Sequence, residues 1–209
     1  MSGLKLWGRR NSINVQKVCW MLAELGIPHE RIDAGMAHGV VGEGWYQRLN
    51  PNRLVPTLQD GETVLWESNA IVRYLAAKHA PGVWIPEDVA GRAAVEQWMD
   101  WQQTTLMPGA LSPLFLGLVR VPPEKRNAAE LTTSAAATEA AMRILDRHLE
   151  GRAFMLGDRP TAADIAIGAA VHRWQVLPVA RPALTALWAY YQRLTQRPAF
   201  VARVMLPLT

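Results

Sequence analysis

Hydrophobic and polar positions along the first eighty residues switch between strand-like and helix-like spacing. A short apolar run at residues 4–7 predicts a strand. Apolar residues then recur at helical intervals over residues 15–25, and Gly26 followed by Pro28 is typical of a helix end. Residues 28–33 suit a second strand, so the pattern predicts an opening β-α-β unit.

A hairpin and another helix are predicted next. Residues 56–59 and 63–65 flank Asp60-Gly61, a dipeptide typical of tight hairpin turns. A helix with one apolar face begins near Glu67. With a loose connection joining the two units, the pattern predicts an α/β domain of order βαβ-ββα over residues 1–80.

The pattern becomes wholly helical after Pro81-Gly82. We interpret residues 81–90 as a linker and residues 91–209 as an all-α domain. The predicted helices cover residues 89–107, residues 124–149, a helix capped by Thr161 and Asp164, residues 182–196 and residues 198–205.

Composition and charge narrow the function classes. The 209 residues are 50% hydrophobic and 19% charged, which is typical of a globular protein. The net charge is +4, but the basic residues are scattered and the densest cluster is only Arg9-Arg10. Nucleic-acid binding is therefore disfavoured, whereas an excess of arginine suits a small anionic ligand equally well.

The single cysteine and the five histidines offer no redox pair or metal site. Cys19 alone excludes an internal disulfide, and its place on an apolar helix face predicts a buried, inert thiol. The histidines show no metal-ligand spacing with it. Neither a signal-peptide core nor a run of about 18 apolar residues is found, so we expect a cytoplasmic protein.

Glu67 and Ser68 interrupt an otherwise apolar stretch, LWESNAIV at residues 65–72. Burying a carboxylate without a partner costs several kcal/mol, so a compensating group is expected. Two interpretations are open from the residues alone. The pair caps a helix, or it binds a ligand that carries both an amine and a carboxylate.

At this point the chain resembles the cytosolic glutathione transferases over nearly its whole length. The resemblance is carried by NSINVQKV (11–18), LNPNRLVPTL (49–58), LWESNAIVRYLA (65–76), FMLGDRPTAADIA (154–166) and RPAF (197–200). It implies a thioredoxin-like domain that binds glutathione and a helical domain that supplies most of the second-substrate pocket.

The resemblance implies roles for two pairs of residues in glutathione binding. Glu67 and Ser68 would bind the γ-glutamyl end, with Ser68 at a helix N-terminus suited to a carboxylate and Glu67 accepting the ammonium. Pro56 would be cis, and Val55 would pair its peptide groups with the cysteinyl part like an added strand.

Other contacts with the two substrates are implied less directly. Arg53 is placed near the glycine carboxylate of glutathione, and His38 is a weaker candidate for the same end. Trp101, Thr105 and Leu106, from the tryptophan-rich helix, are the candidates for an apolar second-substrate pocket.

Ser12 stands where thioredoxin-like redox proteins carry the first cysteine of CxxC, so the nucleophile must be the thiol of the ligand. A hydroxyl that donates a hydrogen bond to that sulfur, at the start of a helix, favours the thiolate. Lowering the pKa of the thiol by about two units takes roughly 2.7 kcal/mol. The alternative interpretation is that Ser12 only caps the helix. Asn14, and Asn11 next to Ser12, are alternative donors. No tyrosine lies near this loop, so the tyrosine-type classes of the family are excluded.

The resemblance implies a bacterial, serine/asparagine-type glutathione transferase whose thiolate attacks a hydrophobic electrophile. A glutathione-dependent disulfide reductase, favoured by Asn14, and a noncatalytic binding protein of the same fold are the alternatives. The chain would form a homodimer, with Arg73 and Asp100 serving the contact between subunits and Asp100 reaching the ammonium of the ligand. No metal, nucleic acid or membrane partner is expected.

Overall fold

A four-stranded mixed sheet organises the first part of the fold in the computed structural model, which describes residues 3–209. The strands are β1 (Leu4–Trp7), β2 (His29–Ile32), β3 (Thr57–Asp60) and β4 (Thr63–Trp66). Their order in the sheet is β2-β1-β3-β4, with β1 parallel to β2 and the other pairs antiparallel. The hairpin and the predicted βαβ-ββα order are both confirmed.

Three α-helices accompany the sheet: α1 (Ile13–Glu24), α2 (Gly44–Leu49) and α3 (Ser68–His79). The predicted end of α1 is confirmed. Gly26 takes the left-handed backbone conformation at φ +65°, and the N–H of Ile27 donates to the carbonyl of Leu22 at 2.9 Å. This pattern satisfies carbonyls that would otherwise be unpaired at the helix end.

The two faces of the sheet bury different groups. Leu4 and Leu6 point into the main core with α1 and α3, whereas Trp7 packs with Ala34 and Tyr46 in a small separate cluster. Tyr46 is fully buried, and its hydroxyl donates to the carbonyl of Leu54 at 2.7 Å. It lies on α2, in a segment that the sequence pattern treats only as a loose connection; six residues are too few to show helical periodicity.

The second part of the described chain is helical. Its helices are α4 (Val89–Trp101), a π-helical segment Gln102–Leu111, α5 (Ser112–Phe115), a second π-helical segment Leu116–Arg120, α6 (Ala128–Leu149), α7 (Ala162–Val176), α8 (Thr185–Thr195) and α9 (Pro198–Arg203). The first four run on without a break, so the helix predicted to stop at residue 107 extends to Arg120. Among the described residues, no helix combines the length and apolar character that crossing a membrane requires.

The centre of the helical part is α7, which is buried along most of its length. It begins with the predicted capping box: the Thr161 N–H donates to Oδ2 of Asp164 at 2.7 Å. The other oxygen of Asp164 accepts from the Met155 N–H at 2.9 Å. Asp164 therefore ties the preceding loop to the helix start, a structural role.

Close packing joins α7 and α9 to the sheet side of the molecule. A Cβ atom added to Gly168 on α7 would lie 3.0 Å from the Trp20 ring on α1. Arg197 donates two hydrogen bonds to Glu24 at 2.6 and 2.7 Å. These contacts hold the second half of α1 against the helical part, and a cavity lies at the opposite end, at the start of α1.

Candidate functional site

A cavity of about 500 Å³ lies where the starts of α1 and α3 face the π-helical segments and α5. Five of the residues considered for the site from the sequence border it together: Asn11, Ser12, Asn14, Glu67 and Ser68. The structure thus brings together two segments that are more than fifty residues apart in sequence.

Ser12 is the N-cap residue of α1 by position, but its side chain does not serve as a cap. Its backbone is extended (φ −80°, ψ 122°), its carbonyl accepts from the Gln16 N–H at 2.8 Å, and its hydroxyl makes no capping hydrogen bond. The residue is only 7% exposed and borders the cavity. The hydroxyl is therefore available to a group placed in the cavity, at the positive end of the α1 dipole.

The two neighbouring asparagines have different partners. Oδ1 of Asn14 accepts from the Ser68 hydroxyl at 3.2 Å. The side-chain amide of Asn11 instead donates to the hydroxyl of Thr209, and the backbone carbonyl of Asn11 accepts from Arg173 at 3.4 Å. Asn14 therefore belongs to the Ser68 side of the cavity, and Asn11 is directed toward the chain end.

Glu67 and Ser68 open α3 at the cavity wall. Glu67 holds a left-handed backbone conformation, φ +69°, which is costly for a residue with a Cβ and is found mainly where surrounding structure enforces it. Its carboxylate accepts from the Gln103 amide at 2.8 Å, and its side chain is otherwise exposed. Ser68 is 3% exposed, at the N-terminus of the helix where an anion is favoured.

Lys17 is a functional candidate that the sequence analysis missed. It is 1% exposed, borders the cavity, and donates to Asn69 at 2.9 Å and to Gln102 at 3.3 Å. Burial lowers the pKa of its ammonium group to about 7, and nearby Glu67 opposes that shift. The available signal was a lysine inside an otherwise apolar helix pattern, where a buried charge requires a partner or a ligand.

The residues predicted for the other parts of glutathione lie beside the cavity rather than on its wall. The Val55–Pro56 peptide bond is cis, as predicted. A Cβ atom added to Gly35 would lie 3.1 Å from Nη1 of Arg9, on the cavity wall, and 3.5 Å from the Val55 side chain, so Val55 lies near the edge of the cavity. Arg53 is exposed and donates to Gln47 at 3.1 Å. In the described residues, the peptide groups of Val55 make no backbone hydrogen bond.

His38 also lies outside the cavity wall. Its ring lies 3.9 Å from the carboxylate of Asp33, and nearly half of its side-chain surface is exposed. The structure gives it no contact with Ser12 or Ser68.

Trp101, Thr105 and Leu106 do not border the cavity. Trp101 packs edge-on against Trp98 at 5.4 Å, Leu106 is fully buried in the core, and Thr105 is exposed on another face. The wall is formed instead by other residues of the same continuous helix: Gln102, Gln103, Met107, Pro108, Ser112, Phe115 and Leu116. The π-helical segments have wider turns than an α-helix, which shifts the helix phase assumed from the sequence.

Three arginines complete the wall at this apolar end: Arg9, Arg120 and Arg173. Arg173, on α7, is 7% exposed and its guanidinium group lies 4.1 Å from the centre of the Phe115 ring. Burial, and then the charges of Arg120 and Arg9, lower the pKa of Arg173 to about 10. The sequence signal was again a charged residue within an apolar helix.

Two further predicted residues pair with each other. Arg73 on α3 donates to the carboxylate of Asp100 on α4 within the same chain. The structure thus uses these charges to join the two parts of one chain, where the sequence analysis placed them in a contact between subunits.

The thiol of Cys19 is buried, and burial raises its pKa, in agreement with an inert thiol. Within residues 3–209, no three His, Cys, Asp or Glu side chains are grouped to hold a metal ion.

Comparisons with known proteins agree with this architecture. Residues 11–78 match the glutathione S-transferase N-terminal domain, and residues 128–193 match the C-terminal domain. The chain is 41% identical over 209 residues to glutathione S-transferase GstB of Escherichia coli, covering 99% of this chain and all of that one. It is 32% identical to glutathione S-transferase 3 of Zea mays, covering 99% of this chain and 97% of that one.

Among solved structures, the theta class glutathione S-transferase of Xanthomonas axonopodis pv. citri with glutathione bound matches with a TM-score of 0.95. The two chains are 42% identical and each is covered completely. The sequence matches, the sheet and helix order and the cavity together place this chain in the glutathione S-transferase family, whose enzymes take glutathione as a co-substrate.

Proposed function

We propose that the chain activates the thiol of glutathione with the hydroxyl of Ser12 and directs the thiolate at a small electrophile in the cavity. The observation that carries this proposal is the state of Ser12: a buried hydroxyl at the start of α1, facing the cavity and not used as a helix cap. A hydrogen bond to a thiolate is stronger than one to a thiol, so Ser12 stabilises the reactive form.

The remaining glutathione contacts follow from the polar end of the cavity. The γ-glutamyl carboxylate binds at the N-terminus of α3. There the Ser68 hydroxyl, which donates to Asn14 in the structure, donates to the carboxylate of the ligand instead. The ammonium group binds the exposed carboxylate of Glu67, which also accepts a hydrogen bond from Gln103. Lys17 borders the same cavity, donates to Asn69 next to Ser68, and adds a positive charge that the carboxylate would stabilise.

The cysteinyl part of glutathione extends toward Val55. The N–H and C=O groups of Val55 make no backbone hydrogen bond among the described residues. They therefore suit antiparallel pairing with a peptide, the same interaction that adds a strand to a sheet edge. Arg53 and the glycine carboxylate then lie on the exposed surface beyond Val55.

Disulfide reduction is the second candidate reaction, and Asn14 favours it. Asn14 borders the cavity two residues after Ser12, so a second side chain is available to the sulfur. In this reaction the thiolate attacks a disulfide sulfur and displaces the other sulfur as a thiolate.

We also propose a cytoplasmic homodimer that acts in detoxification. Leu54 is 63% exposed and Trp66 is 39% exposed, and both lie at the same end of the β3–β4 hairpin, beside Val55 and Glu67. A second subunit would cover these apolar side chains next to the glutathione site. Light scattering at micromolar concentration tests this; a mass equal to one chain would contradict the dimer.

Parallel assays test the reaction itself. Turnover of 1-chloro-2,4-dinitrobenzene and of 2-hydroxyethyl disulfide, each with glutathione, is compared between the wild type and Ser12→Ala. The proposal predicts wild-type conjugation that falls about tenfold or more in Ser12→Ala. Disulfide turnover without conjugation supports the reductase, and retention on immobilised glutathione with neither activity indicates a binding protein.

A further inference from the structure

Three arginines from distant segments meet at one end of the cavity. Arg9 follows β1, Arg120 ends the second π-helical segment, and Arg173 lies on α7. Within the part of the chain that the structure describes, none of the three forms an ion pair with an aspartate or glutamate.

This arrangement is electrostatically unfavourable for the protein by itself. Arg173 is 93% buried and is held by Asn11 and by the face of the Phe115 ring, neither of which carries a charge. Nε of Arg9 is buried without a hydrogen-bond partner. Like charges gathered in a partly buried site destabilise one another unless an anion is present.

The proposed glutathione contacts leave this end of the cavity without an anion. Among the described residues, the wall carries one carboxylate, that of Glu67, which lies at the α3 end and accepts a hydrogen bond from Gln103. The carboxylates of glutathione are assigned to Ser68 and to the surface beyond Val55.

The arginines are interleaved with an apolar surface. Met107, Pro108, Phe115 and Leu116 border the same end of the cavity. A ligand that satisfies both surfaces has an apolar body and one acidic group, because guanidinium groups bind carboxylates and sulfonates with paired hydrogen bonds.

We propose that the electrophilic substrate is an organic anion, with its carboxylate or sulfonate bound by Arg9, Arg120 and Arg173. This inference rests on the proposed function, since it assumes a glutathione thiolate formed at Ser12. With an alkyl halide of this class, the thiolate sulfur forms a bond to the carbon that carries the halogen. The carbon–halogen bond breaks, the halide leaves with the electron pair, and the thiol proton passes to solvent.

Two matched electrophiles test the proposal. The probes are 4-(chloromethyl)benzoate and 4-(chloromethyl)benzamide, which share the aryl ring and leaving group but differ in charge. The measured quantity is the ratio of their kcat/KM values with glutathione, after subtraction of the reaction without enzyme. The wild type is expected to favour the benzoate by about tenfold or more.

The variants separate charge from structure. Arg120 makes no side-chain hydrogen bond among those formed by the described residues and is only partly buried, so Arg120→Gln removes charge with little loss of packing. The benzoate-to-benzamide ratio is expected to fall about tenfold in Arg120→Gln and to recover in Arg120→Lys. Arg147→Gln, an exposed arginine on α6, is the matched control and keeps the wild-type ratio.

The outcomes distinguish this inference from the proposed function. If both electrophiles are conjugated with similar kcat/KM values and Arg120→Gln leaves the ratio unchanged, the inference is wrong and the proposed function stands. If Arg120→Gln raises the glutathione KM equally with both probes, the arginines bind glutathione, which also overturns it. If neither probe reacts, this inference is wrong, and the proposed function fails as well only if 1-chloro-2,4-dinitrobenzene is not conjugated either.

Discussion

Replacing Lys17 by methionine tests the electrostatic account of the cavity floor. The ammonium group of Lys17 is buried, and its pKa falls from 10.5 to about 7. A depressed lysine pKa means that the native state loses stability as pH falls from 10.5 toward 7, because the unfolded chain binds the proton more tightly. At pH 7 this costs about 4 kcal/mol.

Methionine has a similar length and carries no charge, so Lys17→Met removes that cost. The variant also loses two hydrogen bonds, to Asn69 at 2.9 Å and to Gln102 at 3.3 Å, worth about 1–1.5 kcal/mol each. Oε1 of Gln102 keeps a contact from Asn69 at 3.4 Å. The net expectation at pH 7 is a gain in unfolding free energy of about 1–2 kcal/mol, together with weaker glutathione binding.

Urea unfolding at pH 7 and pH 9, at one protein concentration, measures this effect. The wild type is expected to gain about 2 kcal/mol relative to Lys17→Met on going from pH 7 to pH 9, because the native lysine loses its proton over this range while the unfolded chain still holds one. Lys125→Met, at an exposed position, is the control and should follow the wild type. An equal loss of stability in Lys17→Met at both pH values would refute the reasoning.

Three other variants test separate parts of the structure. Ser68→Ala should weaken glutathione binding by about 1.5–3 kcal/mol in calorimetry, and an unchanged dissociation constant would reject its assignment. Asp164→Ala should lower the unfolding free energy by about 3–5 kcal/mol, because three buried donors lose their acceptor, whereas exposed Asp158→Ala should change it little. Burial and then the adjacent arginine lower the pKa of His172 to about 4, so native stability is lost as pH falls from 6.5 toward 4. His172→Gln should lose about 2 kcal/mol less than wild type between pH 7 and pH 5, and His38→Gln should lose as much as wild type.

The parts of the fold that the sequence predicts well carry local signals. Gly26 ends α1 because only a left-handed residue completes that turn, and Thr161 with Asp164 marks the start of α7. Glu67 and Ser68 are found because polar residues interrupt an apolar run. Each of these signals lies within a few residues of the feature it predicts.

The cavity wall depends on information that local patterns lack. The helix phase after Trp101 changes where hydrogen bonds run to the fifth residue rather than the fourth, so Met107 and not Leu106 faces the cavity. Lys17 and Arg173 lie within apolar helices, and periodicity alone cannot tell a solvated charge from a buried one. The pairing of residues so distant in the chain follows from tertiary packing.

The most direct test of the account is the ultraviolet absorbance of bound glutathione thiolate as a function of pH. Wild type, Ser12→Ala and Asn14→Ala are titrated with saturating glutathione, and circular dichroism checks that each variant is folded. The account predicts a wild-type thiol pKa about two units below that of free glutathione, raised by about one unit in Ser12→Ala, or roughly 1.4 kcal/mol. A titration that moves in Asn14→Ala and not in Ser12→Ala would contradict the role of Ser12.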